Sequence, residues 1–209
     1  MRAPGGAWWN WASRGESFRS RLGQERTRVP EAEVLLGFLS AHGLQTGLKN
    51  VSMTMAYSPA ELIDSVRMKF LRVLPDERGQ LMELYSGNDE LFIGFAHSYL
   101  TTVYPGVVKA WHLHGDQIDT MAVVSGSLKL VLYDRRDGSK SHGRVNEFFL
   151  GEHNPLMVQI PAGIFHGFMG LGTRETLVIN FPSAPYRREA PDEYRLAPDH
   201  PSIPYDWWR

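Results

Sequence analysis

Four side chains in this sequence have the types and spacing to do chemistry together. His112 and His114 stand two residues apart in Gly106-Val-Val-Lys-Ala-Trp-His-Leu-His, and Asp119 follows five residues on. Far downstream, Pro161-Ala-Gly163-Ile-Phe-His166 sets a third histidine after a turn. Alternate residues of a strand share a face, so His112 and His114 are expected to point the same way. Three imidazoles and a carboxylate suit a divalent zinc, iron or manganese ion, and the same groups suit proton transfer near neutral pH.

Elements able to position these groups are short and numerous. After Val66 the chain reads as strands broken by Gly and Pro turns: 66–73, 80–85, 91–98, 101–103, 107–114, 120–124, 128–133, 145–150, 157–160, 164–168 and 176–181. Ser125-Gly126 reads as a hairpin turn and Asp134 to Lys140 as a loop. This density of short strands predicts an all-β sandwich or barrel. There is no strand–helix alternation and no Gly-rich phosphate loop. The Pro- and aromatic-rich stretch from Pro182 to Arg209 is expected to wrap the barrel.

Residues 1–57 differ in texture. Ala7-Trp-Trp-Asn-Trp-Ala12 fits neither a strand nor a helix period, and five arginines follow between Ser13 and Arg28. Pro30 to Gly43 reads as one short helix, with Pro at its start, acids in its first turn and Gly at its close. Ser58 to Asp64 reads as a helical turn. The expected division is an irregular or helical N-terminal extension over 1–57, poorly ordered, and one domain over 58–209.

Bulk properties remove several classes of function. With 22 basic and 23 acidic residues the net charge is −1, so no basic excess points to nucleic acid. The absence of cysteine removes disulfides, thiolate metal sites and thiol catalysis. No apolar run reaches the roughly 18–20 residues of a membrane span. The expected setting is the cytoplasm, with no membrane partner.

The stretch from Gly106 to His166 resembles the cupin pattern. Gly106, His112, His114, Asp119 and Gly126 follow its first motif, with Asp where Glu is usual, and Pro161-x-Gly163-x-x-His166 follows its second. The resemblance implies a jelly-roll barrel with a site in its mouth. Over about residues 62–207 the chain is similar to the dTDP-4-dehydrorhamnose 3,5-epimerase family of nucleotide-sugar enzymes. The residues that carry this are Asp76-Glu-Arg78-Gly79 with Glu83, Lys109-Ala-Trp-His112, Ile160-Pro-Ala-Gly-Ile-Phe-His166-Gly-Phe and Asp199-His-Pro-Ser-Ile-Pro-Tyr-Asp-Trp207.

That similarity implies an epimerase or isomerase acting on a nucleotide-linked 4-keto-6-deoxy sugar. It implies His112 as the base, Arg78 and Lys109 on the diphosphate, Glu83 and Tyr186 among the substrate contacts, no required cofactor, and a homodimer. His114 or Lys109 would stabilise the enolate oxygen, although strict alternation points Lys109 out of the barrel. Two positions depart from the family pattern: its catalytic Tyr falls on Asn180 and its active-site Lys on Asp119. The Asp that partners its catalytic His falls on His200, or on Asp199 with a shift of one. The alternatives are a metal-dependent cupin enzyme, its ion held by His112, His114, Asp119 and His166, and a non-catalytic sugar-binding cupin.

Overall fold

The computed structural model describes residues 61–209, and among them every regular element is a strand. In chain order these are β1 Arg67–Phe70, β2 Val73–Asp76, β3 Gly79–Met82, β4 Tyr99–Val103, β5 Val108–Leu113, β6 Asp119–Ser125, β7 Ser127–Asp134, β8 Val145–Gly151, β9 Leu156–Ile160, β10 Ile164–Leu171, β11 Thr176–Asn180 and β12 Tyr194–Arg195. They form a five-stranded sheet β1-β9-β6-β11-β4, a second five-stranded sheet β12-β5-β10-β7-β8, and a separate hairpin of β2 and β3. All named strand pairs are antiparallel. The all-β architecture expected from the strand density is present, in the jelly-roll form that the resemblance implies.

Strand alternation builds the core. On β7, Leu128, Leu130 and Leu132 face the other sheet and pack with Phe148, Leu156, Val158 and Val178. Each such leucine, fully buried, contributes on the order of 1.5–3 kcal/mol. The opposite face of β7 is also buried. Val131 and Tyr133 join Trp111 under Ile203, Tyr205 and Trp207 of the C-terminal stretch. Between them Lys129 extends to donate to the Trp207 carbonyl at 3.0 Å, its ammonium lying against the Tyr205 and Trp207 rings. The stretch after Pro182 therefore wraps the second sheet as expected, and it adds a strand, β12, that the sequence pattern does not announce.

Two glycines allow close approaches between strands. Gly126 turns β6 into β7 at φ +88°, and a Cβ there would meet the Thr176 Cα at 2.8 Å. Gly167 lets β10 lie against β5, where a Cβ would meet the Ala110 Cβ at 2.3 Å. The adjacent register pairs His166 with His112, then shifts before Phe168 meets Lys109.

Two expectations are corrected. Residues 91–98 do not form a strand. Leu91 turns inward while Phe92, Ile93 and Phe95 stay exposed, and the backbone N–H groups of Leu91 and Phe92 bond back to Asp89. Residues 61–64 hold no helical turn, because their backbone is tied to β8 and to the loop before it instead: Ile63 N–H donates to Asn146 Oδ1 at 2.7 Å and Asp64 N–H to Ser141 Oγ at 2.7 Å. The helix expected over Pro30 to Gly43, and the extension as a whole, lie outside the described residues.

Candidate active site

A cavity of about 1140 Å³ opens between the two sheets, walled by β4 and β6 on one side, by β5 and β10 on the other, and by the stretch from Pro182 to Pro198. His112, His114, Asp119, His166, Lys109 and Tyr186 all line it. Lys109 reaches it against strict alternation, because the β5–β10 register slips beside it. Its ammonium donates to Thr102 O at 2.6 Å and Thr101 Oγ1 at 3.2 Å, which ties β5 to β4 at the rim.

His112 and His114 share the cavity but have different partners. His112 Nδ1 lies 3.1 Å from Glu193 Oε1, half-buried like it. A carboxylate only accepts, so Nδ1 carries the hydrogen and Nε2 is left with its lone pair. Burial, and then the neighbouring His166, hold the His112 pKa below the ordinary imidazole value, against the pull of Glu193. His112 is thus neutral at neutral pH, the form a base requires. The partner expected at Asp199 or His200 is corrected: Asp199 is exposed and His200 bonds Ser202 at 2.8 Å.

His114, Asp119 and His166 form a tighter group, with one ligand atom of each within 4.8 Å of the others. Asp119 is 1% exposed. Its Oδ1 accepts from Gln117 Nε2 at 2.8 Å. Its Oδ2 has no hydrogen-bond partner, yet lies 3.3 Å from His114 Nε2 and 3.5 Å from His166 Nε2. The two rings spend their other nitrogens elsewhere. His114 Nδ1 donates to Asp192 O at 2.5 Å and His166 Nδ1 to Ile164 O at 3.1 Å. Neutral rings bonded this way would turn two lone pairs on a carboxylate oxygen. Such a cluster needs a cation, either a proton on an imidazole or a metal ion. Burial opposes charge on both His114 and Asp119. Their facing wins over it, raising the His114 pKa, and with His166 holding Asp119 well below the usual carboxylate range.

The expected four-ligand set is therefore corrected to three, since His112 turns to Glu193 and is absent from the group. Other candidates stand farther off. Arg78 sits at the tip of the β2–β3 hairpin, paired with Asp76 at 2.5 Å and largely exposed, and Glu83 is exposed just beyond β3. Neither lines the cavity of its own chain, because the hairpin belongs to neither large sheet. Asn180 is wholly buried behind the wall rather than in it. Its Oδ1 accepts from Thr120 N–H at 3.0 Å and its amide nitrogen donates to the Tyr99 hydroxyl at 2.9 Å.

Three residues here escape sequence reading. Glu193 and Asp192 lie 81 and 78 positions from the histidines they meet, so no local spacing signals them. Asp192 also clamps the loop after β5, its carboxylate accepting from the N–H groups of Gly115, Asp116 and Gln117. Tyr99 shares a strand face with Thr101, and that alternation was the available signal.

Known proteins bear on this geometry in three ways. The sequence model of the dTDP-4-dehydrorhamnose 3,5-epimerase family matches residues 61–209. The chain is 40% identical over 147 residues to a probable low-salt glycan biosynthesis epimerase of Haloferax volcanii, covering 69% of this chain and 94% of that protein. It is 36% identical over 146 residues to a spore coat polysaccharide biosynthesis protein of Bacillus subtilis, covering 70% and 97%. Among solved structures it resembles a dTDP sugar isomerase from Desulfovibrio desulfuricans G20 with a TM-score of 0.67 and 31% identity, over 69% of this chain and 92% of that one.

Proposed function

This chain belongs to the dTDP-4-dehydrorhamnose 3,5-epimerase family, and from that premise we propose that it inverts a carbon beside the keto group of a nucleotide-linked 4-keto-6-deoxy sugar, with His112 as the base. One observation carries the assignment. Glu193 takes the Nδ1 hydrogen of His112, so the lone pair of Nε2 is the free one in a cavity large enough for a sugar nucleotide. A C–H bond next to a carbonyl is acidic because the resulting enolate places its charge on oxygen. His114 has both ring nitrogens engaged, Nδ1 by Asp192 O and Nε2 facing Asp119, so its contribution to that oxygen is the positive charge it carries when protonated, which the facing Asp119 favours. Lys109 and Tyr186 at the rim are placed for the nucleotide part. Arg78 and Glu83, on the hairpin, would serve only where another copy of the chain brings them to a cavity. Exposed Leu74 and Leu81 on that hairpin and Leu100 on edge strand β4 support a homodimer. No helix among the described residues is long and apolar enough to cross a membrane. The proposed compartment is the cytoplasm, because a diphosphate-bearing substrate does not cross bilayers unaided.

A second reading is favoured by the unpartnered Asp119 Oδ2. His114, Asp119 and His166 offer two neutral nitrogens and one anionic oxygen, a donor set that fits zinc, iron or manganese. Both rings already donate through Nδ1 to carbonyls, as metal-binding histidines do. An ion held there would supply a Lewis acid for the keto oxygen.

Two measurements test these readings. In D2O, dTDP-4-keto-6-deoxyglucose should exchange a ring proton for deuterium with the protein and not with His112→Ala; equal exchange would remove His112 as the base. Elemental analysis of protein purified without chelator decides the second, since absence of stoichiometric metal, with no change on adding zinc, iron or manganese, would eliminate it.

A further inference from the structure

An epimerase that lifts a proton from one face of a carbon must return one to the other face. His112 stands on β5 of the second sheet. The wall across the cavity belongs to the first sheet, and there β4 presents a phenol, Tyr99. We propose that Tyr99 is the catalytic acid opposite His112, a role that rests on the epimerase reading above.

Hydrogen-bond direction carries the assignment. Asn180 is wholly buried, and its amide orientation is set by Thr120 N–H, which donates to Oδ1 at 3.0 Å. Nδ2 must then donate to the Tyr99 oxygen, at 2.9 Å. Tyr99 accepts from Asn180 and keeps its own O–H hydrogen for another acceptor. Alternation on β4 puts Tyr99 on the same face as Thr101, which also lines the cavity, while Leu100 between them points the other way; Tyr99 itself is 42% exposed. Burial raises the Tyr99 pKa, the Asp119 and Glu193 charges add to it, and Asn180 opposes them, so the phenol holds its proton at neutral pH.

The step balances. His112 Nε2 takes the proton, and the C–H pair becomes the enolate. The enolate pair then forms a new C–H bond with the Tyr99 proton on the opposite face. The phenolate left behind is stabilised by the Asn180 N–H, and proton exchange with solvent returns both residues to their starting forms.

The test follows dTDP-4-keto-6-deoxyglucose in D2O by NMR, separating exchange from inversion. Tyr99→Phe keeps the ring and removes only the acid. It should retain His112-dependent deuterium exchange, with return on the original face, while the inverted product falls at least a hundredfold. Asn180→Asp cannot donate to the phenol and draws its hydrogen away, so inversion should fall at least tenfold with exchange retained. Inversion at the wild-type rate in Tyr99→Phe would overturn the proposal. So would finding that selective loss in Tyr194→Phe or Tyr186→Phe instead, since both phenols also border the cavity. Wild-type protein that neither exchanges nor inverts this probe would overturn the epimerase reading itself, a result distinct from exchange and inversion that ignore Tyr99.

Discussion

Asp119 and Asp134 are buried carboxylates, 1% and 0% exposed, at the start of β6 and the end of β7. Both are held ionised, with pKa values below the usual range. Their surroundings are otherwise unlike. Asp134 accepts from Arg136 Nε and Nη2 at 3.0 Å, and from Ser139 and Ser141 hydroxyls at 2.6 Å. Arg136 passes the connection on to Asp64 O, pinning the chain before β1. Asp119 has one oxygen served by Gln117 and the other turned on two imidazoles in a cavity. A saturated buried charge fixes a loop, whereas an unsaturated one marks a place where a proton, a metal ion or a substrate completes the set.

The largest effect expected from this contrast is on activity. Asp119→Asn should lower kcat/KM by about a hundredfold, as losing a buried partner of functional histidines does, and should move the urea midpoint less than the corresponding change at Asp134. A variant with native activity and a large stability loss would erase the distinction. Asp134→Asn should do the reverse, costing about 2–4 kcal/mol because Arg136 and two hydroxyls lose their charged acceptor, while the folded fraction keeps wild-type kcat/KM. Acid sharpens the comparison further. A carboxylate whose folded pKa is depressed adds stability that is present above its unfolded value, about 4, and lost as pH falls toward the folded one. Urea midpoints of wild type and Asp134→Asn should therefore be far apart at pH 7, begin to approach each other only below about pH 4, and close fully only as pH falls toward the depressed folded value; a constant gap would mean that the charge is not what matters. The smallest effect is expected from Ser139→Ala, about 0.5–1.5 kcal/mol for one hydroxyl donor with its neighbours intact, read from the same denaturation curves.

The contrast also separates what the sequence reveals from what it hides. Period-2 spacing put His112 and His114 on one face, and both line the cavity. The strands from β4 to β11 were legible because alternating apolar residues and Gly turns are local signals. Partnership is not local. Nothing near His112 announces Glu193, and nothing near His114 tells that it sides with Asp119 and His166 rather than with His112. Lys109 misled in the opposite way: alternation sent it outward, and an irregularity in its own strand, where β5 spends an extra residue against β10 between His112 and Lys109, brought it back to the rim. The segment 91–98 looked like a strand from composition, but its first N–H groups bond to Asp89 in the turn before it and to the Tyr85 hydroxyl.

Asp192 and Glu193 have one more consequence, and it concerns time. When the polypeptide emerges in order from the ribosome, both sheets can begin to assemble while these two residues are still unmade. Until they arrive, His112 lacks the carboxylate that orients it, and the loop Gly115 to Gln117 lacks the side chain that clamps it. Catalytic competence therefore waits for residues 192 and 193, well after the strands that carry the histidines are made, so a barrel that lacks them cannot act on substrate.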